Sequence, residues 1–377
     1  MDDLAAAREV FEASTDGTVG IEEEFALLDP RTLAMTPAFE PLFAAAKQDP
    51  VLADSVAGEL IASEIEIRSG RGEDVADAIA RQSRCRRALF ALAEQHGVAL
   101  GSTGTHPLSG YQDQQLIDTE HYRRVGEGLQ YVAWRNNTFS VHVHVGVQGA
   151  DRAIQVTDRL RPVLPTLLAL SANSPYVDTI DSGLHTARTQ TFTKSFPRCG
   201  VPDVIGSWDA WADYVELLKR TGSIVEFTQL WWSVRPHHDF GTVEVRICDA
   251  QTTARESDAL TTLIAGCVMA AAREVDEGRT PRDVPGRLIE ENMWRAIRYG
   301  MDGSLLDLEA ERIEELPAGE AVARLAEWAG VAFDGLLPEG NGAQRQRRMI
   351  AEGASPSEVY AACVRETADS YKEVAGT

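Results

Sequence analysis

The sequence predicts an α+β fold: an antiparallel or mixed sheet open on one side, followed by a helical C-terminal third. Two observations carry this. First, four apolar segments each place polar, metal-friendly side chains at i and i+2: Glu22/Glu24 in TVGIEEEFALL, Glu64/Glu66/Arg68 in ELIASEIEIRSG, His142/His144 in FSVHVHVGV and Glu244/Arg246 in GTVEVRICDA. Residues two apart on a strand share a face. Ile65, Ile67, Val141, Val143, Val145, Val243, Val245 and Ile247 therefore form one apolar face, and the acids, imidazoles and guanidiniums form the other. Second, the pattern from residue 253 onward is almost wholly helical, which separates it from the strand-bearing part.

Taken in order, residues 4–13 read as a short helix and 17–29 as a strand ended by Asp29-Pro30. Residues 59–68 read as the next strand, closed by Ser69-Gly70. Between 74 and 96, Val75, Ile79, Cys85, Leu89 and Leu92 recur at helical spacing until Gly97 stops the helix. A short apolar run, Val98 to Leu100, leads into the loop GSTGTHPLSG. Residues 138–147 form a strand, and 151–172 a helix bent near Pro162 and Pro165. Residues 173–206 are rich in Ser, Thr, Pro and Gly and are expected to be irregular, the kind of long loop that is usually functional. A helix follows at 208–220, then strands within 228–250 around PHHDFG. Helices are expected at 253–276, 284–299, 318–331, 341–352 and 355–373. With no internal repeat or linker, 1–377 is expected to be a single domain.

Composition narrows the function. The chain has 377 residues, 44% of them hydrophobic, ample for a large core. No apolar run could span a bilayer, and MDDLAAAREVFEAS has neither the basic start nor the apolar stretch of a signal peptide. Cys85, Cys199, Cys248, Cys267 and Cys363 are scattered without metal or redox spacing, which points to a reducing cytoplasm. A formal net charge of −22 argues against nucleic acid as a partner. Anionic small molecules would need local basic groups or bound cations. The sequence has no Walker loop, no dinucleotide-binding glycine pattern and no GxSxG.

The strand acids carry the chemistry. Mg²⁺ prefers oxygen ligands and shares them with phosphates. Glu22, Glu24, Glu66 and Glu244 suit that role, and His142 adds a nitrogen, a donor also suited to Mn²⁺. One such pair alone would read as a solvated strand face; four pairs point to a site. Glu244 beside Arg246 suits phosphoryl transfer, metal and guanidinium neutralising the moving group. An intra-strand salt bridge is the plainer alternative. His106 reads as a turn cap. Trp231 and Trp232 read as packing residues on opposite faces. Glu23 should face away from the acids.

GIEEEF, EIEIR, HVHVG, SANSP, RP followed by GTVEVRICDAQ, and NMWRAIRYG together resemble the type 2 glutamate–cysteine ligases. These carboxylate–amine ligases are distant relatives of glutamine synthetase. The resemblance runs from about residue 17 to about residue 350. It implies a curved, mainly antiparallel glutamine-synthetase-like sheet that holds ATP and several Mg²⁺ ions on one face, with helices packed on the other. It implies phosphorylation of a carboxylate, by default the γ-carboxylate of L-glutamate, and capture of the acyl phosphate by an amine, by default L-cysteine. By motif, Glu22, Glu24, Glu66, His142 and Glu244 are the implied metal ligands. His144 is an implied nucleotide or phosphate contact, and Arg246 the implied partner of the transferring phosphoryl group. Arg235 is implied for phosphate, and Arg188 and Glu59 for the substrate. Glu59 has the opposite strand parity to Glu66, so it joins the site only if a bend intervenes. A small-molecule kinase on the same fold and a metal-dependent hydrolase of a small amide are the alternative activities. Segments 104–126 and 173–206 are expected to set specificity, and a homodimer is the first expectation for assembly.

Overall fold

The computed structural model describes residues 2–282, 284–308, 310–332 and 339–372. Seven strands form one sheet among them: β1 (Val19–Leu28), β2 (Val56–Ala57), β3 (Glu64–Arg68), β4 (Ala99–Gly101), β5 (Val141–Gly146), β6 (Val234–His237) and β7 (Thr242–Val245). The order is β6-β7-β5-β1-β3-β2, with β4 pairing to the end of β1. Every one of these pairings is antiparallel, so the sequence expectation holds.

Register decides which side chains meet. Glu22 lies opposite both His142 and Arg68, Glu24 opposite Glu66, and Glu244 opposite both His144 and Arg235. The alternate residues Ile21, Phe25, Ile65, Ile67, Val141, Val143, Val145, Val243 and Val245 are all buried. They pack into cores with the helices Val75–Gln95, Ala150–Leu160, Leu164–Ser171 and Ala254–Asp276. Each such side chain contributes ~1.5–3 kcal/mol of burial, which locks the register, since a one-residue slip would turn the acids onto the apolar core face.

Glu23 is the exception on the apolar face. Arg86, from the 75–95 helix, grips it with two bonds: Nε donates to Oε2 at 2.8 Å and Nη2 to Oε1 at 2.7 Å. Gln82 donates at 2.9 Å, Ser257 also donates, and Asp258 accepts from Arg86 at 2.8 Å. Burial pushes the Glu23 carboxyl up, but Arg86 outweighs it and holds it below the ordinary value. A fully bonded buried pair of this kind ties the central strand to two helices.

The polar face is closed at one end. Beyond Glu24, Ala26 and Leu28 join Phe139, Ala250, Tyr360 and Val364 in an apolar cluster under the helix Pro356–Lys372. Gly101 is required there, because a Cβ would lie 2.5 Å from Tyr360 Oη.

Several expectations change in detail. Residues 59–63 form a turn-like segment rather than strand, and β3 begins at Glu64. The segment 173–206 contains a helix, Ala187–Ser195, because the Thr186 side chain caps it by accepting from Thr189 N. Thr119 caps a further helix, Glu120–Leu129, which begins within the expected 104–126 loop and runs past its end. The helical third also holds a hairpin of Ser304–Leu306 with Glu315–Pro317. Its helices otherwise fall where periodicity put them, although residue 373 of the expected last helix lies outside the described residues. The bend at Pro162 and Pro165 is a 3₁₀ turn, Arg161–Val163, between two helices. Among the described residues no helix is long and apolar enough to cross a membrane.

Removing one partner of the buried pair should cost far more than replacing both. Arg86→Ala is expected to lower the unfolding free energy by ~3–5 kcal/mol in urea denaturation, and Glu23→Leu with Arg86→Met to recover most of it. A loss below about 1 kcal/mol for the single variant would contradict this role for the pair.

Candidate active site

On the polar face the side chains fall into two groups. The first surrounds Glu22 and Glu244. His142 Nδ1 lies 3.2 Å from Glu22 Oε2, and its Nε2 lies 2.7 Å from Ser140 Oγ. His144 Nδ1 is 3.0 Å from Thr242 Oγ1, which turns Nε2 toward Glu22 at 3.4 Å and Glu244 at 3.7 Å. Arg246, one residue past β7, donates to Glu244. Arg235 Nε donates to Glu244 Oε2 at 2.5 Å, and its Nη1 is spent on the carbonyls of Thr228 and Leu230. Arg235 therefore fixes Glu244 in place. Burial raises both Glu22 and Glu244. His144, His142 and Arg68 outweigh it for Glu22, and Arg235, Arg246 and His144 for Glu244, so both stay well below the usual carboxylate range.

The second group is acid-rich. Ser140 donates to Glu24 through both its amide and, at 2.7 Å, its hydroxyl. Arg68 donates to Glu66 and lies 3.5 Å from Glu22. Burial, then Glu22, pushes Glu66 well above its ordinary value. Burial, then Glu24, lifts Glu59 to about 7. Cations are too few here for the carboxylates present.

Three sets of donors could each hold an ion: Glu22, Glu66 and His142; Glu22, His144 and Glu244; and Glu24, Glu59 and Glu66. Within each set the donor atoms lie within 4.8 Å of one another. Oxygen-dominated sets, two of them with one imidazole and one all-carboxylate, fit Mg²⁺ or Mn²⁺. His144 Nε2, buried without a hydrogen-bond partner, fits the same purpose.

Two cavities flank this face. A cleft of about 350 Å³ is lined by Glu24, Glu59, Glu66, His142, Arg188 and Arg246, with Leu60, Tyr122, Phe192, Phe196 and Trp231 as apolar walls. A second cavity of about 460 Å³ is mainly apolar, lined by Val10, Ala13, Val19, Ile21 and Phe240, with Ser14, Thr18, Arg71 and His144 as polar groups. Glu22, Arg68, Asp239 and Phe240 line both. Phe240 stacks on His237 at 4.6 Å. Gly241, at φ +63, makes the hairpin turn that presents it, packed against the backbone of Val10.

All ten sequence-derived candidates reach this face or its rim. Glu59 arrives because its segment leaves the strand, the bend its parity demanded. His144 lies in a metal-capable set as well as beside the apolar cavity. Arg188 lines the cleft from the 187–195 helix, with Nη1 and Nη2 on the carbonyls of Ile247 and Arg246. His106 caps its turn, accepting from Leu108 and Ser109 amides. Trp231 lines the cleft while Trp232 stacks on Tyr214. Ser140, Glu64 and Arg68 were not singled out as site residues. Each shares the period-two spacing with a chosen neighbour, so the signal was present. The apolar cavity had no such signal, being assembled from a helix, a strand edge and a turn far apart in sequence.

Comparison with known proteins identifies the class as the ATP-dependent ligases. Residues 18–366 match the family model described as glutamate-cysteine ligase family 2 (GCS2). A Rubrobacter xylanophilus protein bearing the provisional name glutamate–cysteine ligase 2-2 is 37% identical over 367 residues, 95% of this chain and 94% of its own. A Natronomonas pharaonis protein named glutamate–cysteine ligase is 33% identical over 345 residues, 91% and 94% of the two chains. The crystal structure of a Francisella tularensis glutamate–cysteine ligase in complex with AMP shares the fold: TM-score 0.68 at 13% identity, covering 96% of this chain and 90% of that one. The chain belongs to glutamate–cysteine ligase family 2 and is an ATP-dependent carboxylate–amine ligase.

The raised Glu59 carboxyl gives a sign to the pH response. A group whose pKa is raised by folding stabilises fully below its unfolded value and loses that contribution as pH rises through the folded one, here about 7. A cation bound to the acids competes with the proton. Mg²⁺ or Mn²⁺ is therefore expected to raise the melting temperature of chelator-treated protein more at pH 8 than at pH 6.5. A shift equal at both pH values, or absent, would contradict the ion-binding role of this group.

Proposed function

We propose that the chain transfers the γ-phosphoryl group of Mg²⁺-ATP to an amino-acid carboxylate and passes the resulting acyl group to an amine. The γ-carboxylate of L-glutamate and L-cysteine are the default pair, taken from the names of the relatives. The observation that carries this reading is the junction of the two cavities. An apolar cavity of nucleoside size meets a polar cleft at Glu22 and Arg68, with the Glu22, His144 and Glu244 set between them. Adenosine would occupy the apolar side, its base near Phe240, and the acid substrate the cleft.

In the first step a carboxylate oxygen attacks the γ-phosphorus and ADP leaves. In the second, the amine nitrogen attacks the acyl carbon, inorganic phosphate leaves, and the nitrogen gives up a proton. Divalent ions held by Glu22, Glu24, Glu59, Glu66, His142, His144 and Glu244 would screen the repulsion between carboxylate and triphosphate. Arg246, in contact with Glu244 and 3.4 Å from His142 Nδ1, is positioned to neutralise charge on the transferring group. Arg235 keeps Glu244 aligned. Tyr122, Phe192, Phe196 and Trp231 would exclude water from an acyl phosphate that water would otherwise destroy. The five cysteines are all free thiols, which supports a cytoplasmic setting.

ADP release should require both an acid and an amine. Release with the acid alone at the full rate would favour a kinase, and amide cleavage without ATP would favour a hydrolase. Glu244→Gln is expected to lower kcat by roughly 10²–10³ or more, with the fold intact by circular dichroism. Unchanged ADP formation would remove Glu244 from the mechanism. Phe240→Ala is expected to raise the KM for ATP several-fold with little change in kcat. The reverse pattern would place the nucleotide elsewhere.

A further inference from the structure

Two donors of the acid-rich ion set are fixed by the sheet, and the third is not. Glu24 on β1 and Glu66 on β3 lie opposite each other in antiparallel register. Glu59 sits outside the strands, in the segment between β2 and β3. That segment is bound instead to residues 115–117. Ile117 N donates to Leu60 O at 3.0 Å, Ala62 N donates to Gln115 O at 2.8 Å, and Ile61 pairs with Leu116 in an antiparallel bridge. Gly58 packs close to Ile117, where a Cβ would lie 3.1 Å from Ile117 Cδ1. Two residues past Ile117, Thr119 caps the helix Glu120–Leu129. Glu59 and this helix are therefore joined by a short, bonded connection.

The helix has the build of a lid. Tyr122, Val125 and Leu129, at i, i+3 and i+7, share a stripe that lines the cleft, yet no residue of the helix is buried. Gly126 and Gly128 weaken it as a helix. Gln130, at its end, takes φ +51, a left-handed conformation that disfavours a side chain. Tyr122 Oη donates to Gly58 O, and His121 Nε2 lies 4.0 Å from Glu226. An exposed pair of the second kind holds little. The firmer tie ends one residue from a metal-capable carboxylate.

Without an ion, Glu24, Glu59 and Glu66 crowd like charges together, their donor atoms within 4.8 Å of one another. Glu59 is the member whose backbone can yield. A cation draws it back, and with it Gly58 O and the 115–117 segment. A ligand that favours one position of a segment shifts the segment toward it, and the coupling is reciprocal.

We infer that the Glu120–Leu129 helix is a lid seated by the cation at Glu24, Glu59 and Glu66, with Tyr122 as the positioning residue that links the two. This rests on reading that set as an ion site. The cleft then closes only when the set is filled.

The test uses the full chain, stripped by chelator, with Mn²⁺ alone as the probe. Trypsin cleavage after the exposed Arg123 and Arg124, followed by mass spectrometry under native conditions, reads lid opening. Electron paramagnetic resonance of free Mn²⁺ reads binding. In the wild type Mn²⁺ is expected to slow these cuts roughly fivefold or more. In Glu59→Gln the slowing should fall to within about twofold, and one Mn²⁺ site should weaken roughly tenfold or more. Tyr122→Phe removes a hydroxyl and no ion donor. It should speed the cuts and weaken that same Mn²⁺ site about threefold or more. Thermal melts check that both variants fold, and the wild-type comparison is informative without them. Cuts indifferent to Mn²⁺ in the wild type overturn the proposal, as does Tyr122→Phe speeding the cuts with Mn²⁺ affinity unchanged. An Mn²⁺ site that depends on Glu59, with protection that does not, leaves the ion site standing and sinks the coupling. If no Mn²⁺ site depends on Glu59, the ion reading falls and the coupling with it.

Discussion

Everything in this molecule is arranged around the burial of several carboxylates on one face of a single antiparallel sheet. Glu22, Glu24, Glu64, Glu66 and Glu244 all project from strands whose opposite face is packed into hydrophobic cores. Burying a charge is costly unless something cationic compensates. The protein supplies that unevenly. Arg235, Arg246 and two histidines surround Glu244 and Glu22, while the Glu59, Glu64 and Glu66 side is left short. An imbalance of that kind is what the proposed divalent ions would offset. The overall acidity of the chain strengthens the point, since attraction for ATP must come from these local cations.

The same strand shows how the balance is kept. On β1, Glu22 and Glu24 face the site, and Glu23 between them faces the helices. Glu23 is made harmless by Arg86, Gln82 and Ser257, which satisfy it completely. Glu64, equally buried, contrasts with it in that neither carboxylate oxygen has a hydrogen-bond partner. Rigidity on the core face lets the other face hold like charges close together, because the register cannot slip to relieve them.

Much of this was legible in the sequence because strand alternation is a short-range rule. Glu22/Glu24, His142/His144 and Glu244/Arg246 declare their shared face within three residues, and the apolar residues between them declare the core. Even the misfit of Glu59 was informative, since its wrong parity required the bend that the turn at 59–63 provides. What stayed hidden was assembled at long range. The apolar cavity joins Val10, Ile21 and Phe240, which no local pattern connects. The 187–195 helix was masked by a Ser, Thr and Gly-rich composition, although its Thr186 cap was visible in hindsight. Arg68 and Ser140 carried the period-two signal, but their roles depend on which strand lies beside them, and register between distant strands is set by packing.

The most direct test of the account is the fate of the carboxylate oxygen. With the acid substrate labelled by ¹⁸O in its reacting carboxylate, one labelled oxygen should appear in the inorganic phosphate released with each amide formed. Unlabelled phosphate accompanying amide formation would contradict phosphorylation of the carboxylate, and with it the reason for gathering so many acids on this face.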